Sequence, residues 1–223
     1  MKKVISSIAV CSLAVCALAS CGSKKSEKAA ESADITGKWS IDSLEDDTLQ
    51  NGGIIFQDGK GSVYTDSSKI LHFNDEGLEL GNGESDSTVI SKEYFKEEGK
   101  KLTVDLSGME LLVMTKLDDT EGYDGTYSLE GGLLYEELSA EMSDGAEKKP
   151  ESVDISLKFD GESSEMLFND LFNYEIKDGK LSFSGYSAIM GITSDDGPYD
   201  YKIDGDKLSI TSQKKTETFT RVK

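Results

Sequence analysis

The chain has 223 residues, with 43 acidic against 24 basic side chains, one histidine and a net charge of −19. That balance excludes nucleic acid as a partner, because phosphate binding needs clustered Lys and Arg, and the single arginine is Arg221. It also keeps the folded part off anionic lipid, so a membrane contact has to come from something other than a basic surface.

In chain order, Lys2 and Lys3 come first, followed by Val4–Ala19, an apolar and small-residue run interrupted only by serines. A positive start and a run short of the roughly 20 residues that cross a bilayer mark a removable export signal, not an uncleaved anchor helix. The run ends in Leu18-Ala19-Ser20-Cys21, which resembles the lipobox of bacterial lipoproteins at every position. The resemblance implies a diacylglyceryl group on the Cys21 thiol and cleavage before it. Residues 1–20 would then be the signal peptide, and the mature protein would be held by lipid at the extracytoplasmic face of the cell membrane. Two palmitate-class acyl chains suffice for this, at ~0.8 kcal/mol per buried CH₂, where one would be marginal. Cys11 and Cys16 would leave with the leader. No second thiol then remains for a disulfide or a thiolate metal site.

The lipidated cysteine and a flexible linker fill 21–35. Gly22–Asp34 has no aromatic or branched apolar side chain, so it cannot bury enough to order itself and reads as a tether. From Gly37 the chain runs through one plan twice, which predicts two β-domains in tandem, 36–118 and 124–223. Gly37-Lys38-Trp39-Ser40-Ile41 is echoed by Gly125-Thr126-Tyr127-Ser128-Leu129. Glu98-Gly99-Lys100-Lys101-Leu102-Thr103-Val104 is echoed by Asp204-Gly205-Asp206-Lys207-Leu208-Ser209-Ile210. Each copy closes on apolar-Thr-basic-apolar, Met114–Leu117 and Phe219–Val222.

Within the copies the period is two. Val153, Ile155, Leu157 and Phe159 alternate with Asp154, Ser156 and Lys158, as a half-buried antiparallel strand requires. Asp-Gly at 58–59, 160–161, 178–179 and 204–205 is favoured hairpin chemistry, because Gly accepts positive φ without penalty. The expected fold class is all-β, two small antiparallel meander barrels or sandwiches. Leu133–Met142 breaks the pattern, with Leu134, Leu138 and Met142 on one helical face, and predicts a short amphipathic helix. Leu111–Leu117 is apolar on both faces, which suits a strand covered twice, as where the copies touch. Asp118–Asp124 would be the hinge between them.

Gly37-Lys38-Trp39 is similar to the Gly-x-Trp signature at the first strand of lipocalins and lipocalin-like lipoproteins. In that family the Trp closes the barrel floor beneath a basic side chain from the last strand. The resemblance implies barrel-closing pairs, Trp39 with Lys116 in the first copy and Tyr127 with Arg221 in the second, each a cation over an aromatic face. Each copy is shorter than a full lipocalin, so small barrels filled by their own side chains are expected, and these residues are structural.

No catalytic constellation emerges. His72 is the only histidine and sits between Leu71 and Phe73 as an ordinary strand residue. The acidic groups Asp118, Asp119, Glu121, Asp124 and Asp195, Asp196, Asp200 lack calcium-loop spacing and read as acidic turns. No cofactor or metal is expected, and no enzyme activity. The expected function is a lipid-anchored, non-enzymatic binding module for a small apolar ligand or an envelope protein. The alternative is a structural or protein-interaction lipoprotein whose barrels are filled and hold no small molecule.

Overall fold

The structure is a computed structural model that describes residues 34–41, 52–81, 87–144, 153–185, 197–211 and 216–223. The leader, Cys21 and all of the tether before Asp34 lie outside these residues, as do Asp195 and Asp196.

The described chain is nearly all β. Its strands are β1 (Gly37–Ile41), β2 (Gly53–Gln57), β3 (Lys60–Asp66), β4 (Leu71–Phe73), β5 (Gly77–Gly81), β6 (Ser87–Ser91), β7 (Phe95–Glu98), β8 (Lys101–Leu106), β9 (Met109–Lys116) and β10 (Gly125–Gly131). The helix α1 (Leu133–Asp144) follows, then β11 (Asp154–Asp160), β12 (Ser163–Lys177), β13 (Lys180–Gly185), β14 (Tyr199–Asp204), β15 (Lys207–Thr211) and β16 (Thr216–Arg221). The expected Asp-Gly turns form. Asp58 and Gly59 have φ of 50° and 80°, and Asp178 and Gly179 have 53° and 73°, the paired positive values of a tight hairpin. The alternation in β11 buries Ile155, Leu157 and Phe159 almost completely.

The strands divide between two cores in a way that reading along the sequence does not foresee. Going round from β1, the antiparallel neighbours are β2, β3, β12, β13, β14, β15 and β16, and β16 pairs back with β1. This is a closed up-and-down barrel of eight strands. The other core lies between β7–β8–β9–β10–β11–β12 and the separate sheet β4–β5–β6. Here β6 and β7 are joined by a single 3₁₀ turn and do not pair, so this second body is an open barrel.

The long strand β12 belongs to both. Its first half, Ser163–Asn169, pairs with β11, and its second half, Phe172–Lys177, with β13. Between them the ladder to β3 slips: Phe168 faces Val63, but Phe172 already faces Gly61. Asp170, in the slip, has φ of 49°. Leu171 packs against both cores at this point.

The open barrel, residues 71–168, is therefore inserted between β3 and the remainder of the closed barrel, and the core does not divide at 118–124 into 36–118 and 124–223. Asp118–Asp124 is the link between two paired strands, β9 and β10, of one core. Leu111, Leu112, Val113 and Met114 are all buried, as the doubly apolar stretch requires, but α1 packs on β9 and supplies the cover, not a touching copy. Leu134 and Leu138 bury the inner face of that helix.

Candidate functional site

Each barrel is closed at one end by an aromatic side chain under a cation. In the closed barrel Trp39 has no exposed surface, and its indole N–H donates to the Ile35 carbonyl at 2.7 Å. The Arg221 guanidinium lies 4.1 Å from the ring centroid, where the negative face of the indole attracts it, and donates to the Thr36 carbonyl at 2.9 Å. Trp39 and Arg221 are directly opposite in the β1–β16 ladder. Gly37 is needed for this approach. It has φ of +129°, and a Cβ there would stand 2.8 Å from Arg221 Nη1.

The open barrel repeats the arrangement with other residues. Tyr127 is buried and its hydroxyl donates to the Tyr123 carbonyl at 3.2 Å, the same four-residue step back that joins Trp39 to Ile35. Lys116 lies 5.5 Å from the Tyr127 centroid, opposite it in the β9–β10 ladder, and donates to the carbonyls of Thr120 and Gly122. Gly125, with φ of +116°, stands where Gly37 does, and a Cβ there would meet Asp118 Oδ1 at 2.4 Å.

All four expected floor residues are thus at floors, but the partners are exchanged. Trp39 takes Arg221 and Tyr127 takes Lys116, instead of Trp39 with Lys116 and Tyr127 with Arg221. The reason is the strand pairing: β1 lies beside β16 and β10 beside β9.

The open floor carries more charge. Asp118 accepts from the backbone N–H groups of Thr126 and Thr120, which hold its carboxyl down at about 2. Burial pushes Tyr127 up to about 12, with the Asp118 carboxylate adding to it, and burial with the Glu97 hydrogen bond does the same for Tyr123. A cavity of about 280 Å³ opens to solvent here, lined by Lys100, Lys101, Lys116, Asp118, Tyr123 and Tyr127 among others. Its charges are largely occupied with each other. Lys100 pairs with Asp119 at 2.7 Å, and the Tyr123 hydroxyl donates to Glu97 at 2.7 Å.

The remaining candidates have structural work. The His72 Nδ1–H donates to the Ser68 carbonyl at 2.9 Å, and its Nε2 is 3.4 Å from Glu79. In the acidic link, Asp118 caps Thr120 and Thr126, and Asp124 caps Gly161 at 2.9 Å, so these oxygens are taken up by backbone. Among the described residues no group of three or more His, Cys, Asp or Glu could hold a metal ion. Gly53 is a floor-supporting residue that sequence reasoning missed. A Cβ there would come within 1.9 Å of the Trp39 carbonyl, yet nothing in its local sequence sets it apart from an ordinary loop glycine.

The interiors are packed with rings. Phe56 on β2 and Phe183 on β13 are three strands apart around the closed barrel, yet their centroids are 6.3 Å apart across the inside. Phe172 and Tyr174 meet Phe56 edge-on at 6.1 and 5.1 Å. In the open barrel Phe73 on β4 reaches Phe159 on β11 at 4.7 Å, bridging the two sheets. No protein-family model, curated protein or solved structure matches the chain.

Proposed function

We propose that the protein is an exported lipoprotein, anchored through Cys21 at the extracytoplasmic face of the cell membrane, that works as a non-enzymatic interaction module. Its partner is another envelope protein met by the outer faces of the barrels. A small apolar ligand held inside is the lesser reading.

The observation that carries this is the contact of Phe56 with Phe183 through the middle of the closed barrel. A pocket for a small apolar molecule needs roughly 300–1,000 Å³ with mainly apolar walls. Side chains occupy that position, and the cavity at the open floor is open to solvent and lined by charged side chains. Anchoring rests on the lipobox resemblance and on the tether, which enters the fold at Ile35 beneath Trp39.

Native mass spectrometry of the protein purified from its host tests the reading. The expected mass is that of the chain from Cys21 plus its acyl groups and nothing more. A retained apolar molecule at stoichiometric occupancy would transfer the assignment to ligand binding. Cys21→Ser should move the protein from the detergent phase to the aqueous phase, and unchanged partitioning would remove the anchor.

A further inference from the structure

Outward from the contact between β3 and β12, the sheet reads the same in both directions. On one side lie β2, β1, β16, β15 and β14, and on the other β11, β10, β9, β8 and β7. Strands at equal distance carry the matching sequences. Gly37-Lys38-Trp39 stands opposite Gly125-Thr126-Tyr127, and the hairpin at Asp204-Gly205 stands opposite the one at Glu98-Gly99. The two copies are thus related by a pseudo-two-fold axis through the β3–β12 ladder.

Had each copy closed on itself, the last strand of the first copy, β9, would lie beside β1, and β16 beside β10. The pairings are the opposite ones. We propose that the two copies have exchanged their first three strands within one chain, so that each barrel is built from both copies and neither copy completes a floor alone.

The chain crosses between barrels twice, and each crossing is tied to a strand of the other copy: at the second, Asp170 N–H donates to Ser62 Oγ at 3.0 Å and Tyr174 N–H to the Gly59 carbonyl at 2.8 Å. The first copy crosses after β3, in the turn Ser67–Ile70. The second crosses inside β12, where Phe168 and Phe172 fall out of step with β3. Ser67 N–H donates to the Ser164 carbonyl at 2.9 Å, the two serine hydroxyls are 2.7 Å apart, and Ser164 N–H donates to Ser68 Oγ at 2.9 Å. Ser67 and Ser164 are both buried. A buried polar cluster is stable only when its members satisfy one another, and this one joins residues from both copies. Because each floor joins a strand of one copy to a strand of the other, the barrels are linked as two subunits of an interlocked dimer would be.

The exchange is read by cysteine pairs in the chain produced without residues 1–20 and carrying Cys21→Ser, which leaves no other thiol. Ser40 and Thr220 are opposite in the β1–β16 ladder, at a spacing a disulfide bridges. In a self-closed copy the residue opposite Ser40 would be Thr115, which here faces Ser128. Under oxidation, Ser40→Cys with Thr220→Cys should close a bridge within one chain, and Ser40→Cys with Thr115→Cys should not. A within-chain bridge for the Thr115 pair would overturn the proposal. A Ser40–Thr220 bridge that formed only between two chains would overturn it too, because the exchange would then not be contained in one chain.

A second test does not depend on cysteine. A protease site inserted between Glu121 and Gly122 is cut in the folded protein, and the pieces are sized without denaturant. Interlocked copies co-elute as one species and part only on unfolding. Two separate native fragments would mean that each copy folds by itself.

Discussion

The two floors share a plan and differ in materials. In the closed barrel an indole lies under a guanidinium 4.1 Å away, with no exposed ring surface. In the open barrel a phenol lies under an ammonium 5.5 Å away, beside a cavity that opens to solvent. A flat guanidinium covers a ring face closely, whereas a lysine head is a compact, strongly hydrated charge that stays near water and carbonyl oxygens. The backbone arrangement, a positive-φ glycine two residues before the aromatic and a carbonyl four residues before it, is the constant part. The identity of the cation decides how tightly the end is shut.

Removing either aromatic should destabilise the protein more than any other single change at the floors. Trp39→Ala should cost about 3–5 kcal/mol, as large buried aromatics do. Tyr127→Ala should cost less, about 2–4 kcal/mol, because its end of the barrel already admits water. Equilibrium denaturant unfolding checks both, and an equal or reversed order would contradict the difference between the floors.

The glycines come next. Gly37→Ala and Gly125→Ala should each cost about 1–3 kcal/mol through backbone strain. The first variant should also displace Arg221, and the second Asp118, since their side chains occupy the space that a Cβ would enter. Trp39 is the only tryptophan, so a change in its emission reports the closed floor alone. Gly37→Ala should change it and Gly125→Ala should not.

The pH response separates the floors by chemistry. Tyr127 and Tyr123 have folded values raised to about 12 from 10. A raised value means stability that is complete below pH 10 and lost as pH rises through about 12. Asp118 has a lowered value of about 2, so its contribution is present above pH 3.8 and lost as pH falls through about 2. The Trp39 indole has no such transition. Tyr127→Phe should therefore lessen the alkaline loss, and Asp118→Asn should lessen the acid one. Unfolding midpoints across pH give the measurement.

The smallest effect is that of single polar contacts. At neutral pH Tyr127→Phe, which loses its bond to the Tyr123 carbonyl, should cost about 1 kcal/mol. Arg221→Lys should cost about 0.5–2 kcal/mol as the closed floor comes to resemble the open one. If Arg221→Lys also exposes the Trp39 ring to a collisional quencher, the role given to the guanidinium is sharpened.

Much of this was legible in the residues themselves. The alternation of Ile155, Leu157 and Phe159, the Asp-Gly hairpins and the amphipathic Leu133–Met142 stretch each have one good local solution, and each took it. The floor residues were legible as a set. Their partners were not, because the two copies carry interchangeable ends: an aromatic after Gly-x and a basic residue in the last strand. Self-closure and exchange make the same kind of contacts, so local chemistry does not choose between them. The difference lies at the crossings. Residues 168–174 hold no Gly or Pro to stop β12, so it runs on from one barrel into the next, whereas the first copy turns at Ser67–Ile70. A turn missing from one copy and present in the other was the available signal.

The strand exchange is most directly tested by backbone proton contacts in solution. Trp39 and Arg221 form a narrow antiparallel pair, since Val222 N–H donates to the Lys38 carbonyl on one side of it. Their α-protons should give a strong nuclear Overhauser effect. A contact of the same kind from Trp39 to Lys116 instead would show each copy closed upon itself and would contradict the account.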